Sequence, residues 1–445
     1  MPSTKNTAAD AATTDAFKRR FMRRLIAVLV GGMLLDGYIL GAIGPVSATM
    51  GEDLGLSTLW IGLVASGALF GTLIGSPIGG WAGDKFGRKP LFMVDMAIFV
   101  VASAMQFFID SAWQAFLVRL LMGIAIGCEY SVGWPLLAEF SPARLRGRLM
   151  AATNVAWYGG FMVGFATSYF LHAYTDLGWR TILGSSTVLA LILAIARLGL
   201  PESPRWLWNV GRKDEALAIA RKYMTDHADM VDVENEDTKK GTVGMLFSRE
   251  HWRATVFASV FFVCVVTPYF ALATFADDVL KQYGLSGGLA GGVGLSLVAT
   301  IGVVITMLLI DKAGRRVFTI PTQWICTVVL ALIGLWAGAP PMVVLILFLV
   351  FSFLNAMAGT LTSIYPAEVF PTEIRGVGTG FAASMSRVGA GSATFLLPWS
   401  VENLGNSVTM LIAAGISLIG AAVSQVLAPE TKGRSLTETA AMIKH

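Results

Sequence analysis

Gly80-Trp81-Ala82-Gly83-Asp84-Lys85-Phe86-Gly87-Arg88-Lys89 closes one apolar run and opens the next, and its last three residues return 227 positions later as Gly314-Arg315-Arg316. Two more pairs keep nearly the same offset. Glu139 with Arg146-Gly147 returns 229 positions on as Glu368 with Arg375-Gly376, and Pro201-Glu202-Ser203 returns 228 positions on as Pro429-Glu430-Thr431. Three recurrences at one spacing make the chain two copies of one unit. Parallel repeats of membrane helices place a substrate site between them, near the bilayer midplane.

The composition agrees. Of 445 residues, 55% are hydrophobic and 14% charged, with a mean hydropathy of +0.66, whereas a soluble domain carries about 25% charged residues. An ordinary soluble enzyme is excluded. At about 20 apolar residues per crossing, the runs near 25–50, 59–82, 90–109, 112–138, 149–173, 180–200, 254–276, 286–310, 317–338, 341–365, 377–400 and 404–428 predict twelve transmembrane helices. The expected fold is an all-α polytopic membrane protein of two pseudo-symmetric six-helix bundles, 25–200 and 254–428. A tail at 1–24, a linker at 201–253 and a tail at 429–445 complete the division.

Lys18, Arg19, Arg20, Arg23 and Arg24 precede the first run, which is too long for a signal-peptide core and shows no cleavage site, so a retained first helix is expected. The odd inter-helix loops carry only Arg180 and Lys281; nearly all other Lys and Arg lie on even loops, the linker and the ends, which predicts that both termini are cytoplasmic. The same rule absorbs the net charge of +4, so no nucleic-acid partner is expected. Cys128, Cys264 and Cys326 all fall in apolar runs and read as core thiols. Walker loops, metal-spaced histidines and nucleophile elbows are missing, which argues against ATP-driven transport, catalysis and any cofactor.

With the Gly80 to Lys89 segment, Arg119 followed by Gly123 and Gly127, Pro201-Glu202-Ser203-Pro204-Arg205-Trp206-Leu207, and Pro366-Ala367-Glu368-Val369-Phe370-Pro371-Thr372-Glu373-Ile374-Arg375-Gly376, the chain resembles the major facilitator superfamily. The resemblance points to the branch of metabolite:proton symporters, organic-ion transporters and synaptic-vesicle-glycoprotein-like proteins, related to the sugar porters. It implies alternating access. Sugar porters' paired glutamines on the seventh helix are missing from Phe261 to Ala276, and where aromatic-acid symporters carry Asp-Gly-x-Asp this chain has Asp36-Gly37-Tyr38-Ile39. Ser386-Arg387-Val388-Gly389 resembles organic-ion transporters, in which an arginine there contributes to anion recognition. The short Gly51 to Leu59 loop favours a bacterial inner-membrane member.

An ionisable group at membrane depth is a functional candidate by default, and four stand out: Asp36, Arg119, Glu129 and Arg387. Burial disfavours a charged carboxylate and a nearby arginine favours it, so a carboxyl under both influences can exchange protons near working pH. Asp36, Arg119 and Glu129 are the proton-coupling candidates. Gly123 and Gly127 form a small-residue stripe on the face of Arg119, admitting a close neighbour such as the helix of Asp36; a purely structural Asp36 and Arg119 pair is the competing reading. Glu129 is expected on another face, for proton or substrate contact or for a polar bond between helices. Arg387 has no acid within a turn, which suggests an anionic substrate; pairing with Asp36 or Glu129 is the alternative.

Tyr38, Tyr130, Trp134, Asn154, Trp157, Tyr158, Tyr269 and Asn355 complete the substrate candidates, although ordinary packing explains any single one. The gating candidates are Asp84, Arg88, Glu139, Arg146, Asp311, Arg315, Glu368 and Arg375. By resemblance, Asp84 meets the start of the eleventh helix, and the acid and arginine pairs clamp the cytoplasmic face in the outward-open state. The expectation is a monomeric secondary carrier, partnered by the lipid bilayer, that takes up a small organic anion with protons. A sugar or polyol carrier, a drug efflux pump and a non-transporting receptor remain the alternatives.

Overall fold

The computed structural model describes residues 4–140, 143–224, 243–284, 292–336, 338–370 and 374–432, and every regular element among them is helical. The first half holds α1 (Thr4–Ala42), α2 (Thr58–Phe86), α3 (Arg88–Met105), α4 (Ala112–Phe140), α5 (Ala143–Tyr174) and α6, which is in two pieces, Trp179–Gly184 and Ser186–Arg197. The second holds α7 (Trp252–Thr274), α8 (Gly294–Ala313), α9 (Arg315–Leu335) and α10 (Pro341–Thr360), and Arg375–Leu427 contains the last two. That 53-residue stretch exceeds twice the length of a crossing. Gly405 breaks it with φ +79°, a conformation open to glycine, and the hydroxyls of Ser400 and Thr409 meet at 2.8 Å across the break. We number the parts before and after Gly405 α11 and α12, giving twelve principal helices among the described residues, beside shorter ones.

The stretch expected as an N-terminal tail is helical from Thr4 and continuous with the rest of α1. Its Ala, Lys and Arg residues favour helix, and neither Gly nor Pro interrupts them before Gly31 after Pro2. Phe21 on that extension packs edge-on against Phe140 and lies 4.4 Å from the ring of Tyr223 on the linker helix Lys213–Tyr223.

Without water to drive helices together, membrane packing depends on small residues that let backbones approach. A Cβ on Gly123 would stand 2.0 Å from the Ala68 carbonyl oxygen, and one on Gly127 2.5 Å from the Ser76 nitrogen, so the stripe on α4 receives α2. This corrects the expectation that it receives α1. That helix packs instead on α5, where a Cβ on Gly37 would lie 2.1 Å from the Trp157 carbonyl oxygen and one on Gly160 2.1 Å from that of Leu34.

The sequence repeat has a three-dimensional counterpart. Gly87 and Gly314 take φ +104° and +93° and turn the chain directly into α3 and α9. Glu202 accepts from the Arg88 and Lys89 amides at 2.9 and 3.1 Å, and Glu430 accepts from those of Arg315 and Arg316, both at 3.0 Å. Each carboxylate therefore caps a helix N-terminus in its own half.

Candidate functional site

α1 carries Asp36 into the middle of the first half, where its side chain is fully enclosed and neither carboxyl oxygen meets a hydrogen-bond partner among the described residues. Arg119 does not pair with it. Its Nη1 donates to the Ile39 carbonyl oxygen on α1 at 3.0 Å, while Nε and Nη2 are buried without partners. The stripe beside Arg119 admits α2, and the guanidinium reaches the backbone of α1 rather than its acid.

Glu129 has a different partner from any foreseen. Arg197 on α6 reaches Glu129 Oε2 at 2.6 Å with Nη2 and Asp95 Oδ1 on α3 at 3.1 Å with Nη1, and all three side chains are 0% exposed. Nη1 also donates to the Phe92 carbonyl oxygen at 3.1 Å, and the guanidinium stacks 3.6 Å from the Phe92 ring centre. Glu129 was expected on a face away from Arg119, yet both touch α1: a Cβ on Gly32 would stand 2.3 Å from Glu129 Oε1. Sequence reading missed Asp95 and Arg197. A lone charge inside Leu91 to Val100, and another inside Leu189 to Leu200, was the available signal.

Arg387 is half-buried on α11 and forms no ion pair among the described residues. It lies instead between the halves, 5.5 Å from the Tyr130 ring centre on α4 and 5.6 Å from that of Phe270 on α7. The alternative pairing with Asp36 or Glu129 is not made.

Around it, Trp134 stacks on Tyr130 at 5.0 Å, and Trp157 Nε1 donates to the Tyr130 hydroxyl at 3.0 Å. Trp157 meets Phe270 edge-on at 5.5 Å, and Tyr158 meets Tyr269 at 5.5 Å. The structure thus gathers Tyr130, Trp134, Trp157, Tyr158 and Tyr269 into one bihemispheric aromatic cluster and adds Phe270, which the sequence reading passed over. Asn154 Nδ2 crosses between the halves to Ser363 Oγ at 2.9 Å, and Asn355 Nδ2 is buried without a partner. Tyr38 lies elsewhere: its hydroxyl shares a 2.7 Å hydrogen bond with Ser185 inside the first half.

The expected clamps of Glu139 with Arg146 and of Glu368 with Arg375 involve side chains outside the described residues. Asp84 pairs with Arg88 at 2.9 Å in its own loop and is 69% exposed. Arg315 pairs with Glu368 at 3.0 Å, again within one half, and the Thr431 hydroxyl donates to the same carboxylate. The side chains of Glu139, Arg146, Asp311 and Arg375 lie outside the described residues. At the end away from these loops the halves touch closely: a Cβ on Gly62 would stand 2.0 Å from the Phe395 carbonyl oxygen, and one on Gly44 2.3 Å from that of Thr274.

Two six-helix halves, the first enclosing charged groups, with rings from both halves around a lone arginine, define a membrane carrier of the major facilitator type. The chain belongs to the family described as Sugar (and other) transporter, whose model matches residues 6–443. It is a transporter and not an enzyme.

It is 36% identical over 417 residues to the inner membrane metabolite transport protein YgcS of Escherichia coli, covering 94% of this chain and 93% of that one. It is also 27% identical to the major myo-inositol transporter IolT of Bacillus subtilis, over 94% of this chain and 93% of that one. Among solved structures, the proton:xylose symporter XylE bound to 6-bromo-6-deoxy-D-glucose superposes with a TM-score of 0.81 at 22% identity, covering 96% of this chain and all of that one.

Proposed function

We propose that the chain is a proton-coupled symporter of a small organic anion, working by alternating access in a bacterial inner membrane with both termini cytoplasmic. The observation that carries the anion reading is Arg387, a cation at the junction of the halves with aromatic rings for neighbours and, among the described residues, no acid in ion-pair range. Its planar fork suits a carboxylate, and the rings of Tyr130, Trp134, Trp157, Tyr158, Tyr269 and Phe270 supply apolar walls for the body of such a substrate.

Asp36 is the proton carrier of this reading. A carboxylate without a partner at this depth costs several kcal/mol, far more than the neutral acid, so proton occupancy is tied to how enclosed the site is. Arg119, held on the backbone one turn away, is the cation that Asp36 meets when α1 shifts. Contact between the halves at Gly62 and Gly44, with Asp84 exposed at the opposite end, supports a conformation open toward the charged loops.

The family description and the resemblance to a myo-inositol transporter favour a second reading, a neutral sugar or polyol as substrate. Affinities of purified protein for matched acids, their amides and a panel of hexoses and polyols decide between them. Binding of the acids over their amides is expected; preference for amides or hexoses overturns the anion assignment.

A further inference from the structure

We propose that the Asp95 and Glu129 carboxyls, held together on Arg197, form a proton-binding site of their own that takes up and releases one proton alongside the one on Asp36. This rests on the proton-coupled reading above. The cluster contains two acids and one base, all fully enclosed, and an uncompensated charge in such a place is strongly destabilising. Arg197 meets Asp95 Oδ1 at 3.1 Å and Glu129 Oε2 at 2.6 Å, so two carboxyls bracket one guanidinium. One guanidinium balances a single carboxylate, and a proton held by the pair removes the excess negative charge and supplies a donor that two carboxylates lack. Glu129 Oε1 has no donor otherwise.

With the shared proton the cluster is neutral; releasing it to water leaves two carboxylates against one guanidinium and a net charge of minus one. Among the described residues, no other group facing the cluster supplies the missing positive charge. Gly32 brings the backbone of α1 against Glu129 and Arg197, and the residue one turn along is the acid Asp36. On α4 itself, the Cys128 thiol donates to the Gly75 carbonyl oxygen at 3.6 Å, and the Tyr130 hydroxyl accepts from Trp157. Arg387 on α11 is held over the rings of Tyr130 and Phe270, outside ion-pair distance. Because α1, α3, α4 and α6 all belong to one half, the site travels with that half and does not depend on substrate bound at Arg387.

The test needs no substrate: pH-difference infrared spectra of the purified full chain, read in the carboxylic-acid C=O region. Wild type is expected to show two bands that vanish as pH rises. Asp36→Asn removes one of them. Glu129→Gln and Asp95→Asn each remove the whole of the other, since either leaves a single carboxylate neutralised by Arg197 with no proton to share; the two variants give the same readout, so one that folds suffices. Spectra of Glu129→Gln and Asp95→Asn that match wild type overturn the inference, as does a second band that persists at every pH. Loss of a band in these variants with none lost in Asp36→Asn sinks the assignment of Asp36 and leaves this site standing.

Discussion

The two halves share their loops and differ in their cores. Glycines of positive φ start α3 and α9, and Glu202 and Glu430 cap those helices in matching ways. Inside, the first half encloses Asp36, Asp95, Arg119, Glu129 and Arg197, whereas the second, among the described residues, encloses no Asp, Glu, Lys or Arg and holds the half-buried Arg387 beside aromatic rings. Charges at depth are costly to keep, and the contrast suggests a division of labour: proton handling in the first half and recognition of substrate charge in the second.

The largest effect should come from Asp36→Asn, which fixes the neutral form. Reconstituted protein carrying it should lose uphill, pH-driven uptake and keep counterflow exchange, because exchange need not release the proton. Undiminished accumulation would break the division at its first-half end. Next is Arg197→Ala, which strands two buried acids; removing one partner of a buried ion pair costs roughly 3–5 kcal/mol. Arg387→Ala removes no partner from any acid and should leave the melting temperature nearly unchanged. Equal destabilisation by the two would erase the contrast between a structural cation and a substrate-facing one.

Binding gives the third test. Truncating one partner of an enclosed charge pair costs about 2–5 kcal/mol, so Arg387→Ala should weaken binding of a carboxylate substrate by roughly 100-fold, where about 1.4 kcal/mol is tenfold. Arg387→Lys keeps the charge, loses the fork and should fall between. Affinities for an acid and its amide on all three proteins check this. An unchanged acid-over-amide ratio in Arg387→Ala would move substrate recognition away from the second half.

How much of this was legible depended on whether a signal was local. The repeat, the helices and the lone position of Arg387 are properties of one segment or of two segments compared, and the structure agrees with them. The glycine stripe on α4 was legible as a place of close approach, but a stripe names a face and not its visitor, so α2 was mistaken for α1. Asp95, Glu129 and Arg197 come from three helices, and no spacing along the chain announces their meeting. A charge inside an apolar run is a signal at each position separately, and reading Asp95 and Arg197 by the standard applied to Asp36 would have found them. The placement of Tyr38 against Ser185 was beyond reach, since a mid-helix ring says nothing of which neighbour takes its hydroxyl.

The smallest prediction asks whether the shared loops are equivalent in energy as well as shape. Partial burial works against the charge of Glu430, but the amides of Arg315, Arg316 and Lys432 outweigh it and hold its carboxyl below the ordinary 4.5. A group whose folded value is depressed stabilises above its unfolded value and loses that contribution as pH falls through the folded one. Glu430→Gln should therefore lower the unfolding free energy near neutral pH, by less than about 1 kcal/mol for a partly exposed helix-end charge. The gap to wild type should close as pH drops below 4.5. Glu202→Gln should lower it comparably at neutral pH, because its carboxylate meets the first two amides of α3 as Glu430 meets those of α9. A loss confined to one half would show that the loops, like the cores, have diverged in what they hold.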